Sequence, residues 1–259
     1  MFDKSKFNEN INTLSETAKT VLEQKYTDKE MKLFYAPIEW AEEFHALTTV
    51  DGRMNKITLP TVPAMRVITN DCLSDVLYYF TDYHRQHLLD IICMKMNRIF
   101  KEFKEVYPDF CGPVGIISHS LGGVISYDLL SIKNQEVGSN DQIYSVAFPR
   151  TNYPKLDFEP KFLFTLGSPI GAVMVLRGLK YEDFRLSEDI EFMNIYNPYD
   201  PLAYRLEPLI SQDYEGLEAK SIDTYETNEQ SYYFPRISAL LPEAPSFIKS
   251  AKNLLPNFN

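Results

Sequence analysis

The chain has little positive charge, and this absence excludes two kinds of partner. Its 259 residues contain 26 lysines and arginines against 36 aspartates and glutamates, a formal net charge of −10. A protein that binds nucleic acid would show a basic stripe, so no nucleic-acid partner is expected. The same acidity argues against simple electrostatic adsorption to anionic lipid, so membrane contact would need apolar surface or a separate segment.

Cysteines are few, and long apolar runs are absent. Cys72, Cys93 and Cys111 are odd in number and lack the spacing of metal ligands, so buried free thiols in a reducing compartment are expected. The N-terminus is polar and carries no apolar core of a signal peptide. No apolar run approaches the roughly 18 residues that a membrane span needs. These absences predict a soluble, cytoplasmic chain without a transmembrane segment.

Helical and extended hydrophobic patterns alternate along the chain. The patterns predict helices over 8–24, 72–80, 88–106 and 246–255. They predict strands over 32–40, 114–117, 161–166 and 192–196. Residues 41–59 and 133–142 are predicted to be loops. Without internal repeats or a long linker, this alternation predicts a single α/β domain over 1–259, its mainly parallel sheet covered by helices on both faces.

Residues 114–130, VGIISHSLGGVISYDLL, combine an apolar run, a sharp turn and a helical pattern. The run predicts a strand buried on both faces. A strand, a tight turn and a helix with a serine at the turn form the nucleophile elbow of α/β hydrolases, usually G-x-S-x-G; Ser118 replaces its first glycine. Ser120 is therefore the candidate nucleophile. The alternative is a serine that happens to lie in a strand–helix turn.

Nucleophilic catalysis also needs an acid, a base and donors for the oxyanion. Asp200 follows a predicted strand within NPYDPLAYRLEP and is the candidate acid, although plain turn chemistry explains an Asp-Pro pair equally well. The backbone N–H of Leu121 is the candidate oxyanion donor. All four histidines precede Ser120, so the base expected after the acid is absent. The glycine-rich loop that usually supplies a second donor is also absent.

Several stretches in a fixed order carry a family resemblance. The most specific are YAPIEW (35–40), SHSLGG (118–123), LDFEPKFLFTLGSPIG (156–171) and NIYNPYDPLAYRLEPLI (194–210). Together they resemble the DDHD-domain family, the intracellular phosphatidic acid-preferring phospholipases A1. The resemblance covers roughly residues 30 to 210 and implies an α/β-hydrolase-like lipase core.

The resemblance also implies an activity and a site. Ser120 would be the nucleophile and Asp200 the triad acid in the cleavage of glycerophospholipid acyl esters, at a cytoplasmic face of endoplasmic reticulum or Golgi membranes. The serine mechanism requires no cofactor. A divalent metal is implied by the resemblance only, through Asp157, Asp200 and Asp223, which match the family's aspartates.

Departures from the family pattern leave alternatives open. The late histidine segment and the early His-Gly loop have no counterparts, so we expect a chain that is incomplete at both ends. One alternative is a catalytically inactive member or fragment that binds lipid or acts as a scaffold. Head-group preference, positional specificity and oligomeric state do not follow from the sequence.

Overall fold

The computed structural model describes residues 4–28, 31–48, 56–61, 74–131, 151–198 and 200–218. The chain divides into two compact units, Met1–Gly216 and Leu217–Asn259, and the elements below lie in the first. The single domain over 1–259 stays a prediction. The loop predicted over 133–142, the helix predicted over 246–255, and both Cys72 and Asp223 lie outside the described residues.

The described elements alternate between helix and strand from residue 74 onward. In chain order they are α1 (Lys4–Lys25), α2 (Ala41–Thr48), α3 (Ser74–Tyr79), α4 (Asp82–Val106), β1 (Val114–His119), α5 (Leu121–Leu130), β2 (Pro160–Leu166), α6 (Ile170–Leu176), α7 (Tyr181–Phe184), β3 (Glu191–Ile195) and α8 (Glu207–Ile210). A short 3₁₀ helix, Gln212–Tyr214, follows α8. None of the described helices is both long and apolar enough to cross a membrane.

The three strands form a parallel sheet in the order β1-β2-β3. In the register of this sheet, Ile117 lies beside Phe164, which lies beside Met193. Parallel neighbours need crossover connections, and α5 and α6 lie within those crossovers. The predicted α/β class and the parallel sheet are therefore confirmed.

One face of the sheet carries the hydrophobic core. Leu163 is completely buried and Ile116 is 7% exposed, and both lie in a cluster with residues of α4, α5 and α6. On the opposite face Ile117 is 44% exposed and Met193 is 50% exposed. The prediction that β1 is buried on both faces is therefore wrong, and among the described residues the helices bury only one face of the sheet. An apolar run in the sequence indicates that a strand is hydrophobic, but it does not indicate which elements cover the two faces of that strand.

A buried ion pair ties α5 to the turn after α6. Arg177 donates two hydrogen bonds to the carboxylate of Asp128, at 2.7 and 2.8 Å, and the Tyr79 hydroxyl donates a third at 2.6 Å. All three residues are less than 10% exposed. Burial alone would lower the pKa of Arg177, but the negative charge of Asp128 has the larger effect and raises it. Burial and the same negative charge both raise the pKa of Tyr79. The group orients the helix that follows the elbow.

The long helical patterns are confirmed, while two predictions nearer the N-terminus are wrong. The helix predicted over 88–106 begins six residues earlier, at Asp82. Residues 31–40 form neither helix nor strand, although a strand was predicted over 32–40. They lie along α4, with the Phe34 ring 4.9 Å from that of Phe103 and Lys95 donating to the Glu39 carbonyl.

The segment that follows was predicted to be loop, yet part of it is helical. α2 occupies its first eight residues because Phe44 is fully buried there, with the rings of Tyr78 and His84 at its edges. Tertiary packing thus overrides weak local patterning. Of the cysteines, Cys93 is buried, and burial raises its pKa to about 11. Cys111 is exposed, so the prediction of buried thiols is wrong at that position.

Candidate active site

Ser120 is the one-residue turn between β1 and α5. Its φ of 52° and ψ of −125° make it the only non-glycine residue with positive φ among those described. Such a conformation costs about 1–3 kcal/mol and persists only where surrounding contacts hold it. Here the Ser120 N–H donates to the Leu166 carbonyl at 3.0 Å, and the Gly123 N–H donates to the Ser120 carbonyl at 3.0 Å. The sequence-predicted elbow is present as a strained turn.

Ser168 holds the same turn from the neighbouring strand. This residue is 1% exposed, and its hydroxyl donates to the Ser120 carbonyl at 2.9 Å. A Cβ added to Gly123 would overlap the Ser168 hydroxyl, so the second glycine of SHSLGG is needed for this close approach. The motifs SHSLGG and LGSPIG therefore meet at the elbow.

Asp200 lies beyond the end of β3, at the sheet edge where Ser120 follows β1. Its Oδ1 accepts a hydrogen bond from the Leu202 N–H at 2.9 Å. Its Oδ2 lies 2.7 Å from the position that a Cβ on Gly167 would occupy. Gly167 has a φ of 54° and donates its N–H to the Ile195 carbonyl at 2.8 Å. The turn after β2 thus has to be glycine, because a carboxylate occupies the space above it.

His119 lies beside the same glycine. Its Nε2 is 4.0 Å from the Cβ position on Gly167, so the imidazole and the Asp200 carboxylate approach one point from two strands. Partial burial lowers the pKa of His119, and the negative charge of Asp200 opposes that shift. Among the described hydrogen bonds none joins His119 to Ser120, so the imidazole is placed near the acid rather than at the nucleophile.

Leu121 is the first residue of α5, and its side chain is 4% exposed. The N–H groups of a helix's first turn have no acceptor within the helix. They also carry the positive end of the helix dipole. The Leu121 N–H, directly after the nucleophile, can donate a hydrogen bond to an oxyanion formed at Ser120.

The segment after Asp200 packs back on the turn that follows β2. Asn194 donates its amide to the Tyr204 carbonyl and accepts from the Thr165 hydroxyl, both at 3.0 Å. A Cβ on Gly171 would overlap the Arg205 carbonyl oxygen. Sequence reasoning missed these supports, although the two glycines of LGSPIG were a signal of close backbone approach.

The other described histidines lie in the helical layer. His45 on α2 pairs with Asp75 on α3, with Nε2 and Oδ1 3.1 Å apart. His84 on α4 shares a hydrogen bond with the Thr81 hydroxyl at 2.7 Å, and burial lowers its pKa. Neither contact involves the elbow.

The aspartates suggested as metal ligands do not form a described metal site. Asp157 donates its backbone N–H to Asn97 on α4, whereas Asp200 lies over Gly167. The described part of the chain contains no group of three histidine, cysteine, aspartate or glutamate side chains able to hold a metal ion. No step of the chemistry is therefore assigned to a metal.

Comparisons with known proteins point to one family. Residues 156–255 match the family model described as the DDHD domain. The chain is 27% identical over 250 residues to an intracellular phospholipase A1 of Caenorhabditis elegans, covering 81% of this chain and 29% of the relative. It is 27% identical over 299 residues to human phospholipase DDHD1, covering 96% and 32%.

A further relative has a different activity in its name. The chain is 25% identical over 280 residues to the triacylglycerol hydrolase DDHD2 of Mus musculus, covering 70% of this chain and 40% of the relative. This chain spans 29–40% of the length of these three curated relatives. No solved structure matches it.

Proposed function

We propose that the chain is a phospholipase-type hydrolase of acyl esters in phosphatidic acid-like glycerophospholipids, because residues 156–255 match the DDHD domain and relatives along most of the chain are named phospholipases. The observation that carries the proposal is the strained elbow at Ser120 together with the position of Asp200. Both lie at the same edge of the sheet, because Ser120 follows β1 and Asp200 follows β3, the two strands that flank β2. Serine before acid is the chain order of α/β hydrolases, and the carboxyl edge of a parallel sheet is where their chemistry occurs.

In the proposed reaction, the Ser120 hydroxyl attacks the ester carbonyl and loses its proton to a base. The oxyanion of the tetrahedral intermediate accepts a hydrogen bond from the Leu121 N–H. The intermediate collapses to an acyl-enzyme and a lysophospholipid, whose leaving oxygen takes up the proton. Water then cleaves the acyl-enzyme to fatty acid and free serine. Asp200 is the acid that would orient the base, although no histidine follows it in the sequence.

The chain's own groups limit the rate that this site can reach. No histidine follows Asp200 in the sequence, and Leu121 supplies one oxyanion donor. Loss of one donor typically costs about 10²–10³ in rate, and loss of the base about 10⁶. We therefore expect covalent modification of Ser120 by an activated reagent to be easier to observe than turnover. We propose that the substrate lies at the cytoplasmic face of a membrane. The proposed reaction needs no metal cofactor.

The test is covalent labelling with a fluorophosphonate that carries an alkyl chain, read by mass spectrometry of the peptide containing the elbow. The full chain should form an adduct at Ser120, and Ser120→Ala should form none. Ser118→Gly, which restores the usual first glycine of the elbow, is the matched control and should keep the adduct. Absence of an adduct on the unmodified chain, or one that survives in Ser120→Ala, contradicts the assignment.

A second function is favoured by one specific observation, the lack of a histidine after Asp200. A family member without its base would retain the fold and hold phospholipid at the same edge of the sheet without hydrolysing it. Such a protein would bind vesicles of phosphatidic acid and phosphatidylcholine and release no fatty acid from them. Fatty acid release that disappears in Ser120→Ala rules this function out.

A further inference from the structure

The turn that follows β2 contacts both the nucleophile and the acid of the proposed site. Gly167 lies under the Asp200 carboxylate. The next residue, Ser168, reaches the other side, because its hydroxyl donates to the Ser120 carbonyl at 2.9 Å. β2 itself lies between β1 and β3 in the sheet. The turn therefore bridges the two strand ends that carry the proposed chemistry.

Ser168 also contacts the segment of the acid through its backbone. Its carbonyl accepts the Tyr204 N–H at 3.4 Å, four residues after Asp200. The Tyr204 carbonyl accepts the Asn194 amide at 3.0 Å, which holds this segment against β3. Ser168 thus binds the nucleophile turn with its side chain and the segment of the acid with its main chain.

The burial of Ser168 indicates that its hydroxyl matters. The residue is 1% exposed, and a buried hydroxyl is unfavourable unless it is hydrogen-bonded, whereas alanine would fill nearly the same space without that requirement. Its acceptor is the carbonyl of Ser120, the residue held at a φ of 52°. The Gly123 N–H donates to the same carbonyl at 3.0 Å, so two donors hold this oxygen in place.

The Ser120 carbonyl and the Leu121 N–H belong to the same peptide group. A peptide group is planar, and in its trans form the carbonyl and the N–H point in opposite directions. A hydrogen bond that holds the Ser120 carbonyl toward Ser168 therefore also fixes the direction of the Leu121 N–H. This N–H is the proposed donor to the oxyanion, and a donor stabilises an oxyanion only when it is aimed at it.

From these contacts we propose that Ser168 is a positioning residue, which aims the Leu121 N–H at the oxyanion by holding the Ser120 carbonyl from behind. The proposal rests on the proposed hydrolysis at Ser120, although the direction of the N–H is measurable without it. Because Leu121 supplies one oxyanion donor, the rate depends strongly on the direction of that donor. A serine that only filled space would be replaceable by alanine without effect on the Leu121 N–H.

Residual dipolar couplings of the backbone N–H groups in the full chain measure the direction of the Leu121 N–H. Ser168→Ala removes the hydroxyl donor, so we expect the Leu121 coupling to change while the couplings of later residues in α5 stay the same. Ser126→Ala is the matched control, because Ser126 is another buried serine, 3% exposed, on α5. It should leave the Leu121 coupling unchanged. A Leu121 coupling that is the same in both variants overturns the proposal.

Fluorophosphonate labelling measures the chemical consequence. In Ser168→Ala the rate constant for adduct formation at saturating reagent should fall about tenfold or more, because complete loss of an oxyanion donor costs about 10²–10³ in rate. The reagent concentration that gives half the maximal rate should stay within about twofold of that for Ser126→Ala, since binding before reaction does not use the donor. Ser168→Cys keeps a weaker donor of similar size and should give an intermediate rate constant.

The two measurements separate this proposal from the proposed function. A changed Leu121 coupling without any adduct on the unmodified chain supports the positioning role and contradicts hydrolysis at Ser120. A changed coupling with equal rates of adduct formation in Ser168→Ala and Ser126→Ala overturns the proposal, because the direction of the N–H would then be irrelevant to the oxyanion.

Discussion

Gly167 and Gly178 both have positive φ, yet their surroundings differ. A Cβ at Gly167 would lie 2.7 Å from Oδ2 of Asp200, whereas nothing lies within 4 Å of the same position at Gly178. Gly178→Ala should therefore cost only backbone strain, about 1 kcal/mol. Gly167→Ala should cost about 1–3 kcal/mol because the carboxylate must also move. Urea unfolding of the two variants measures the difference.

The same pair of glycines separates stability from chemistry. If Asp200 acts at the site, Gly167→Ala should slow fluorophosphonate labelling of Ser120, and Gly178→Ala should leave the labelling rate unchanged. Equal labelling rates in the two variants would show that the position of the Asp200 carboxylate is irrelevant to the nucleophile.

The proximity of His119 to Asp200 predicts an electrostatic signature. The Asp200 charge raises the pKa of His119 against the effect of burial, so Asp200→Asn should lower that pKa further. Titration of the His119 imidazole by NMR measures it, with Asp157→Asn as a charge-matched control that leaves the value unchanged. A pKa of His119 that is unchanged in Asp200→Asn would contradict the described geometry.

The lowered His119 pKa also has a consequence for stability. The folded protein resists protonation of this imidazole, whereas the unfolded chain accepts a proton near the ordinary pKa of about 6.5. The contribution of His119 to stability is therefore present above that pH and is lost as the pH falls below it.

At this scale the sequence located residues whose position has a local signature, while their catalytic roles stay predictions. Ser120 lies in a recognisable turn, and Asp200 follows an apolar run. Gly167 and Ser168 were missed as supports because their roles depend on a carboxylate and a carbonyl that reach them from other strands. No local pattern encodes such contacts.

At the scale of elements, the Asp128–Arg177 pair decides how α5 lies behind the elbow. Asp128→Ala would leave Arg177 buried without its carboxylate, which typically costs about 3–5 kcal/mol. Asp128→Leu combined with Arg177→Met replaces both charges by apolar groups and should cost less than Asp128→Ala alone. Chemical denaturation of the single and double variants measures both values. A double variant less stable than the single one would mean that the ion pair itself, rather than avoidance of an unpaired charge, stabilises α5.

Elements were predictable where their own pattern decided their structure. α4 has a long amphipathic repeat, and it begins six residues before its predicted start. β2 has a compact apolar run, and it begins one residue before its predicted start. Residues 31–40 have the composition of a strand but lie along α4 through side-chain contacts such as Phe34 with Phe103. α2 forms because Phe44 enters the core. Both outcomes depend on partners distant in sequence.

At the scale of the whole molecule, the parallel sheet and the α/β class followed from the alternation of patterns. Burial of the sheet on both faces did not, because hydrophobic strands do not reveal what covers them. In the described part of the chain, Ile117 and Met193 remain partly open to solvent. The chain also spans only about a third of two phospholipase relatives, 29% and 32% of their lengths. The activity of the full-length relatives is therefore a proposal for this chain.

The decisive measurement for hydrolysis at Ser120 is release of fatty acid from defined phospholipid vesicles, followed by mass spectrometry with the full chain in excess over lipid. The proposed reaction should release both lysophospholipid and fatty acid from phosphatidic acid, slowly, and neither should be released by Ser120→Ala. Vesicles that bind the chain but release no fatty acid, or release that is unchanged in Ser120→Ala, would contradict it.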